Sequence, residues 1–421
     1  MNILVIGSGG REHALCAAFR QSGKTARIFC ADGNAGIAEI AERVNIKPDN
    51  INALADFAVE NRIDLTFVGG EIALALGIVD EFEQRDLKII GARRAAARLE
   101  TSKSFAKDFM RRHKVPTAEY EVAHSRQEAI EILRNGKFGD ENSPVVVKAD
   151  GLAAGKGVVV AGNRAEAEQA IYELENTVGK DAVERIVLEE CLFGKEVSLI
   201  MFADGVNFVL APPVRDHKRI FENDAGANTG GMGTISDASL LSKEQTDQIV
   251  AEIIEPTLRG CRSEGFPFRG ILFLGLMLTK TGAKVIEYNA RFGDPETQVI
   301  LVKLKTDLVE ICEAILNQTL DEINIEWQTG SSACVVLAAK GYPQSAQTGD
   351  VIYGLEREFE DVQIFHAGTA RDFDGNYITN GGRVLGVTAS AETLDEAIEK
   401  AYRAVGKISW SGMQYRRDIG K

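Results

Sequence analysis

Apolar residues fill positions 2 to 6, a glycine turn follows, and Ala14, Leu15, Ala18 and Phe19 recur at helical spacing until Gly23 interrupts them. The alternation then repeats: a strand ARIFCAD, a helix around Ile51 to Glu60, a strand DLTFVGG, a helix around Ile72 to Phe82 and a strand LKIIGA. Such a run of βα units predicts an α/β, doubly wound parallel sheet over about the first hundred residues. The helical period continues from Ala95 to His113 and ends at Val115-Pro116, because the residue before proline is pushed out of the helical region. Pro116 is therefore an expected subdomain boundary.

From position 144 the pattern changes to strands VVVKAD, GVVVA, RIVLEE and EVSLIMFA, separated by a single helical stretch near Arg164 to Asn176. That mixture predicts an α+β unit with an antiparallel sheet. A glycine-rich stretch from 211 to 234 leads to a helix around Glu244 to Arg259 and strands GILFLGLMLT and KVIEYNA. After Trp327 the strand ACVVLAA begins a series of short strands with turns at Asp374-Gly375 and Gly381-Gly382. In the closing helix Thr393 and Glu396 fit a capping box, and Leu394, Ala397, Ile398, Ala401 and Val405 form the apolar stripe.

At 421 residues the chain exceeds what one hydrophobic core supports, so several domains are expected. A net charge of -14 opposes non-specific attraction to nucleic acid or an anionic membrane, so any phosphate must be held by local features. The six cysteines form no CxxC pair and read as reduced, mostly buried thiols; the five histidines show no HExxH spacing, which argues against zinc. The longest apolar run, around Gly270 to Thr279, is too short to span a bilayer, and the N-terminal apolar stretch lacks a preceding basic residue. A cytoplasmic location without a membrane span is the expectation.

Five segments carry candidate chemistry. The loop from Gly7 through Gly9, Gly10 and Arg11 to Glu12 joins a strand to a helix and offers backbone N–H groups to an anion. As a dinucleotide fingerprint it is imperfect, since Glu12 replaces the third glycine, although Asp32 closes the next strand; a sugar phosphate or a plain tight turn are the other readings. The segment KADGLAAGKGVVV differs from a Walker A loop: three residues separate Gly151 from Gly155, Gly157 stands where Ser or Thr would be, and it joins two strands. A glycine hairpin carrying Lys156, with Lys148 on the preceding strand, suits closure over ATP phosphates; a solvated turn is the bland alternative. Glu189 and Glu190 end the strand RIVLEE and Glu196 begins the next, where they are either a solvated edge or an adenosine pocket. In KVIEYNARFGDPE, strand alternation directs Glu287, Asn289 and Arg291 one way and Ile286 and Tyr288 the other, which puts two oxygen ligands suited to magnesium beside a cation. Asp294 belongs to the same cluster. The charged run from Arg215 to Arg219, followed by glycines, reads as a substrate loop.

Taken together, GSGGREHAL, SKSFAKDFM, KADGLAAGKGVVVA, DHKR, NTGGMG, EYNARFGDPETQ and GGRVLGVTA resemble the ATP-grasp superfamily and, within it, the phosphoribosylamine-glycine ligases (glycinamide ribonucleotide synthetases). The resemblance implies an N-terminal Rossmann-like domain (1–100), an ATP-grasp domain (101–326) with a lid at about 117–190, and a mixed α+β C-terminal domain (327–421). It implies ATP as co-substrate and Mg or Mn as metal, with glycine joined to 5-phospho-D-ribosylamine through a glycyl phosphate to give glycinamide ribonucleotide, ADP and phosphate in de novo purine biosynthesis. By the same implication Lys103, Lys148, Gly155, Lys156 and Gly157 approach the phosphates, Glu189, Glu190 and Glu196 line the adenosine pocket, and Glu287 and Asn289 hold the metal. Asp216, Lys218, Arg291 and Asp294 would surround glycine and the acyl phosphate, while Gly9, Gly10, Arg11, Glu12, Gly381, Gly382 and Arg383 lie near phosphoribosylamine. A monomer or weak homodimer is expected, with small molecules as its partners. The chain departs from the family at VGGEIAL from Val68, where VGPEAPL is usual, and at Phe221, Asn223 and Ala227 after DHKR. A sister ATP-grasp ligase or carboxylase, a nicotinamide-dependent oxidoreductase resting on the first loop alone, and a non-catalytic nucleotide sensor are the competing readings.

Overall fold

The structure is a computed structural model that describes residues 1–151, 157–179, 184–357 and 359–421, side chains 175–178 excepted. Its first hundred residues form the expected parallel sheet. The strand Asn2–Gly7 lies between Arg27–Asp32 and Leu65–Val68, with Glu42–Val44 and Ile89–Ile90 at the edges. The chain thus reverses direction across the first strand, and the Gly7 and Gly69 turns flank the crevice at that switch point. The predicted helix from Ile72 to Phe82 is two helices, Glu71–Leu76 and Ile78–Gln84, because Gly77 takes φ 90°, a left-handed conformation that ends one helix and starts the next.

The predicted helix from Ala95 to His113 is also divided, into Arg94–Thr101 and Lys103–Arg112. Ser102 between them is extended (φ −137°, ψ 108°), and its hydroxyl accepts a hydrogen bond from Phe105 N at 3.2 Å, a new N-cap. Thr117 then bridges to Val285, and Pro116 O accepts from Val285 N, which ties the expected boundary to the strand Gly282–Asn289.

A small antiparallel sheet follows in the order Tyr120–Ala123, Ile186–Glu190, Val145–Ala149, Val158–Ala161, covered by the helices Arg126–Arg134 and Arg164–Val178 over a shared apolar core. The strand Lys195–Asp204, expected in the same unit, belongs elsewhere. It pairs along its whole length with Arg269–Thr279 in a nine-stranded sheet that continues through Val214–Asp216, Gly233–Ser236, Ser331–Ala338 and Arg383–Ala391 to Val362–His366. The strands Ser331–Ala338, Arg383–Ala391 and Val362–His366 therefore extend the central sheet, and Thr369–Arg371 pairs with Tyr377–Thr379 in a separate two-stranded sheet. The join between Gly233–Ser236 and Ser331–Ala338 is close, and a Cβ on Gly233 would stand 2.7 Å from Cys334 O. The closing helix, Leu394–Val405, has the predicted capping box. Five of the six cysteines are buried free thiols, and among the described residues no helix is long and apolar enough to cross a membrane.

Candidate functional site

One cleft lies between the small sheet, the helix Lys103–Arg112 and the strand Gly282–Asn289, and Lys103, Lys107, Lys148, Glu189, Glu287 and Asn289 are on its walls. Its inner end is a closed ionic cluster. Lys107 donates to Glu189 Oε2 at 2.7 Å and to Thr117 Oγ1 at 2.8 Å. Lys148 Nζ stands 2.8 Å from Glu189 Oε1 and donates to Ile286 O at 3.2 Å. The three side chains are only 2, 4 and 6% exposed, and burial pulls the Lys107 ammonium down to about 8 despite Glu189. Glu190, on the opposite pleat, meets Lys284 at 2.8 Å and accepts from Glu119 N. Burial raises the Glu190 pKa, and the pull of Lys284 outweighs it. Lys103 donates to Gly151 O at 2.8 Å and is driven down by burial. Gly157 lines the cleft, whereas Gly155 and Lys156 fall outside the described residues.

The outer end is open. Strict alternation along 285 to 291 does not hold, because a bulge places Glu287 opposite Gly275 and Val285 opposite Leu276, with Ile286 as the extra residue. Val285 and Tyr288 therefore both enter the core, at 0 and 2% exposure, while Ile286 joins Glu287 and Asn289 on the cleft wall. Lys218 Nζ lies 3.4 Å from Glu196 Oε2 and 4.0 Å from Glu287 Oε1, and the three side chains are 34, 47 and 38% exposed. Burial opposes the Lys218 charge, yet Glu196, Glu287, Asp216 and Glu296 prevail and its pKa rises. Burial likewise opposes the Glu287 charge, and Lys218, Lys148, Lys103 and Arg291 hold its pKa low. Arg291 is already gripped, by Glu100 at 2.7 Å and Glu71 at 3.3 Å, and it donates to Asn289 Oδ1 at 3.2 Å. Glu100 has its pKa raised by burial and accepts from Ala290 N at 2.7 Å.

Glu287 and Asn289 offer hard oxygen donors to the same cleft, the chemistry that magnesium or manganese requires. Among the described residues no group of three or more His, Cys, Asp or Glu is arranged for a metal. The donor set therefore suits a cation that completes its shell with phosphate oxygens and water.

The predicted substrate residues converge beyond this point, on Asp294. Arg11 N donates to Asp294 Oδ2 at 3.4 Å, the Arg11 guanidinium donates to Phe292 O at 2.9 Å, and Arg383 donates to both Asp294 O and Gly230 O. Burial would raise the Asp294 pKa, but Arg383 and Arg11 keep it low. Burial raises Asp216, with the neighbouring Glu296 adding to the shift, and Glu296 is itself raised by burial.

Several members of this group bind one another. Glu12, 1% exposed, accepts from Gly9 N and from Arg11 Nε at 2.6 Å each. Its side chain fills the turn so closely that a Cβ on Gly69 would meet Oε1 at 2.1 Å and one on Gly7 would meet Cδ at 2.6 Å. The space that a dinucleotide pyrophosphate needs is thus occupied by a side chain of the protein. Gly10 lies against Gln298, Gly381 against the Gly368 backbone, and Gly382 under the Tyr342 ring, whose hydroxyl accepts from Gly230 N at 3.1 Å.

Lys107, Glu71, Glu100 and Glu296 were not anticipated from the sequence. Lys107 follows Lys103 by one helical turn in SKSFAKDFM, and Glu296 stands inside FGDPE, so those two were within reach of the motifs. Glu71 stands inside VGGEIAL, where the chain departs from the family, and Glu100 carries no such mark.

The family model described as Phosphoribosylglycinamide synthetase, ATP-grasp (A) domain, matches residues 101–297; the N-domain model of the same series matches 1–100 and the C-domain model 332–421. A phosphoribosylamine–glycine ligase of Caldanaerobacter subterraneus is 44% identical over 100% of this chain and 99% of its own. Its counterpart in Vibrio parahaemolyticus is 47% identical over 100 and 98%. The crystal structure of phosphoribosylamine–glycine ligase from Thermotoga maritima superposes with a TM-score of 0.85 at 33% identity, covering 100% of both chains. The biotin carboxylase domain of Hydrogenobacter thermophilus 2-oxoglutarate carboxylase, solved with MgADP and bicarbonate, shares the fold at a TM-score of 0.74 and 18% identity, over 98% of this chain and 91% of its own. With the three domain models matched in order and full-length relatives this similar, the chain belongs to the phosphoribosylglycinamide synthetase family, the phosphoribosylamine–glycine ligases of the ATP-grasp fold.

Proposed function

We propose that the chain joins glycine to 5-phospho-D-ribosylamine with ATP, by way of a glycyl phosphate, and releases glycinamide ribonucleotide, ADP and phosphate. The observation that carries the reading is the outer end of the cleft. There Glu287 and Asn289 offer oxygens beside Lys103, Lys148, Lys218 and Arg291, in a chain that matches the ligase family throughout.

A carboxylate resists attack by an amine at neutral pH, and phosphorylation converts one of its oxygens into a leaving group. Phosphoryl transfer depends chiefly on alignment and charge neutralisation, worth several kcal/mol in order of magnitude. Lys103 and Lys148 would neutralise the ATP phosphates from the inner wall. Lys218, held charged by its four carboxylates, would face the transferred group and the glycine carboxylate. Glu287 and Asn289 would hold magnesium or manganese, which supplies charge neutralisation at the phosphates when bound. Glu71 and Glu100 would fix the Arg291 fork on the glycine side. Arg11, Asp294 and Arg383 join the N-terminal loop, the FGDPE turn and the Gly381–Arg383 turn into a rim for phosphoribosylamine. The small sheet beside the cleft would exclude water that could hydrolyse the glycyl phosphate.

The test is phosphate release with glycine and phosphoribosylamine generated in situ, each omitted in turn. Release should require ATP, divalent cation and both substrates, with one glycinamide ribonucleotide formed per phosphate. Equal release with another carboxylate or amine, and none with this pair, would assign the chain to a different ATP-grasp ligase.

A further inference from the structure

Lys218 reaches toward Glu196 and Glu287, and Asp216 lies near Lys218 and Glu296, whereas His217 between them is 5% exposed and turned to other partners. Behind it lies chain from nearly the far end of the sequence. His217 Nε2 accepts from Gly420 N–H at 3.1 Å, and its Nδ1 is 3.0 Å from Gly233 O. A backbone N–H can only donate and a carbonyl can only accept, so the contacts place the ring proton on Nδ1 and leave the imidazole neutral. Burial, aided by Arg215 and Arg416, agrees with this by lowering the His217 pKa to about 4.

The other contacts follow the same direction. Arg215 donates to Lys421 O at 2.9 Å. Arg416, 2% exposed, donates to Arg219 O at 3.2 Å and to Asp224 Oδ1 at 2.7 Å, and grips Asp418 through two bonds of 2.8 and 2.7 Å. Asp418 in turn accepts from Asn223 N at 2.8 Å. Ile419, 1% exposed, packs so closely on the backbone below His217 that a Cβ on Gly233 would meet it at 2.7 Å. Asn223 and Asp224 sit at φ 58° and 51°, conformations that a non-glycine residue keeps only when its surroundings over-determine them. Asn223, one of the departures from the family after DHKR, is suited to that conformation because asparagine tolerates it better than most residues.

We propose that Arg416–Gly420 is a positioning segment for the ligase site, and that His217 is the positioning residue through which it sets Asp216 and Lys218 against Glu196 and Glu287. Backbone bonds hold the stretch from one side, since His217 N donates to Gly233 O, Met232 N to His217 O and Thr229 N to Lys218 O, but they leave the side chains to be set by other contacts. Val214–Asp216 is three residues long, and Lys218 follows it outside any strand. The polar contacts from 416–421 fall on residues 215, 217, 219, 223 and 224, thereby clamping the segment from behind.

This inference rests on the roles given above to Asp216 and Lys218, and the experiment separates the two. His217→Asn keeps a donor near Gly233 O and loses the acceptor for Gly420, whereas His217→Gln places a carbonyl where Nε2 lies. Ile419→Ala relaxes the same contact without touching a polar group. For His217→Asn and Ile419→Ala the KM for glycine should rise and the phosphate released per amide formed should increase. Turnover should fall about tenfold to a hundredfold, the scale of a 1 Å misplacement, and His217→Gln should restore most of the coupling. KM and the phosphate-to-amide ratio do not depend on how much enzyme is folded, so partial unfolding cannot imitate the result. If both quantities stay at wild-type values while only the yield of folded protein drops, the segment is a stability anchor and the inference is overturned. Lys218→Met serves as the control: wild-type turnover there would remove the catalytic roles themselves.

Discussion

The two ends of the cleft use the same residue types to opposite effect. At the inner end Lys107, Glu189 and Lys148 sit 2.7 and 2.8 Å apart and are almost wholly buried. At the outer end Glu196, Lys218 and Glu287 are spaced at 3.4 and 4.0 Å and are a third to a half exposed. Burial makes tight geometry a condition for these charges to persist, and Glu189 lies within 2.8 Å of both lysines, so the inner cluster can serve as a rigid wall. The outer cluster, two carboxylates about one ammonium, is looser and has room beside it. Ligands carrying phosphate, metal and carboxylate would complete it. Closeness of ionic contact thus separates Lys107 and Glu189, which hold the site, from Lys218 and Glu287, which work in it, while Lys148 joins the two through its contact with Glu189 and its proposed role at the phosphates.

The comparison is broken most sharply at Glu287. Glu287→Gln should lower amide formation by about 10²- to 10³-fold, the scale for losing one preorganised electrostatic group, with circular dichroism and unfolding midpoint unchanged. Lys107→Met should do the reverse. It leaves Glu189 in the core with one partner fewer, which should destabilise the fold by about 3 kcal/mol in urea titration. Neutral behaviour there would show that the inner cluster is not the structural one.

Acid probes a third set of buried groups. Burial lowers His13 to about 3 and His366 to about 4, as it lowers His217 to about 4. His366 N donates to His13 Nδ1 at 2.8 Å, so this pair joins the first helix to the strand Val362–His366. The unfolded chain takes up these protons near the ordinary value of about 6.5, whereas the fold resists them. The stabilising contribution is therefore complete above that value and is lost as pH falls toward 4. Unfolding midpoints measured from pH 7 to 4 should decline over this window, and a flat profile would contradict the neutral assignment. The smallest effect is expected for the stability of Lys218→Met, under about 1 kcal/mol because its ion pairs are open to solvent, although its turnover should be lost.

Legibility in the sequence followed the range of the interactions. The parallel sheet, the capping box at Thr393 and the shared side of Glu287 and Asn289 depend on neighbours a few residues apart, and each was readable. Gly77 and Ser102 each divide a helix that periodicity alone continues, because the apolar stripe persists across a local break in the backbone. The bulge at Ile286 is invisible to a two-residue period, since it is imposed by pairing with Gly275 and Leu276. Lys107 with Glu189, Arg291 with Glu71 and His217 with Gly420 are 82, 220 and 203 positions apart, and only the folded chain makes them neighbours. Glu12 shows a further limit. Its place in the glycine loop was clear, but not that its carboxylate would accept from Gly9 and Arg11.

The central claim is that the open end of the cleft activates glycine as an acyl phosphate, and oxygen isotope transfer tests it directly. With glycine labelled with ¹⁸O at both carboxylate oxygens, ATP and phosphoribosylamine, one labelled oxygen should appear in each phosphate released and the other should remain in the amide. Unlabelled phosphate accompanying amide formation would contradict the account.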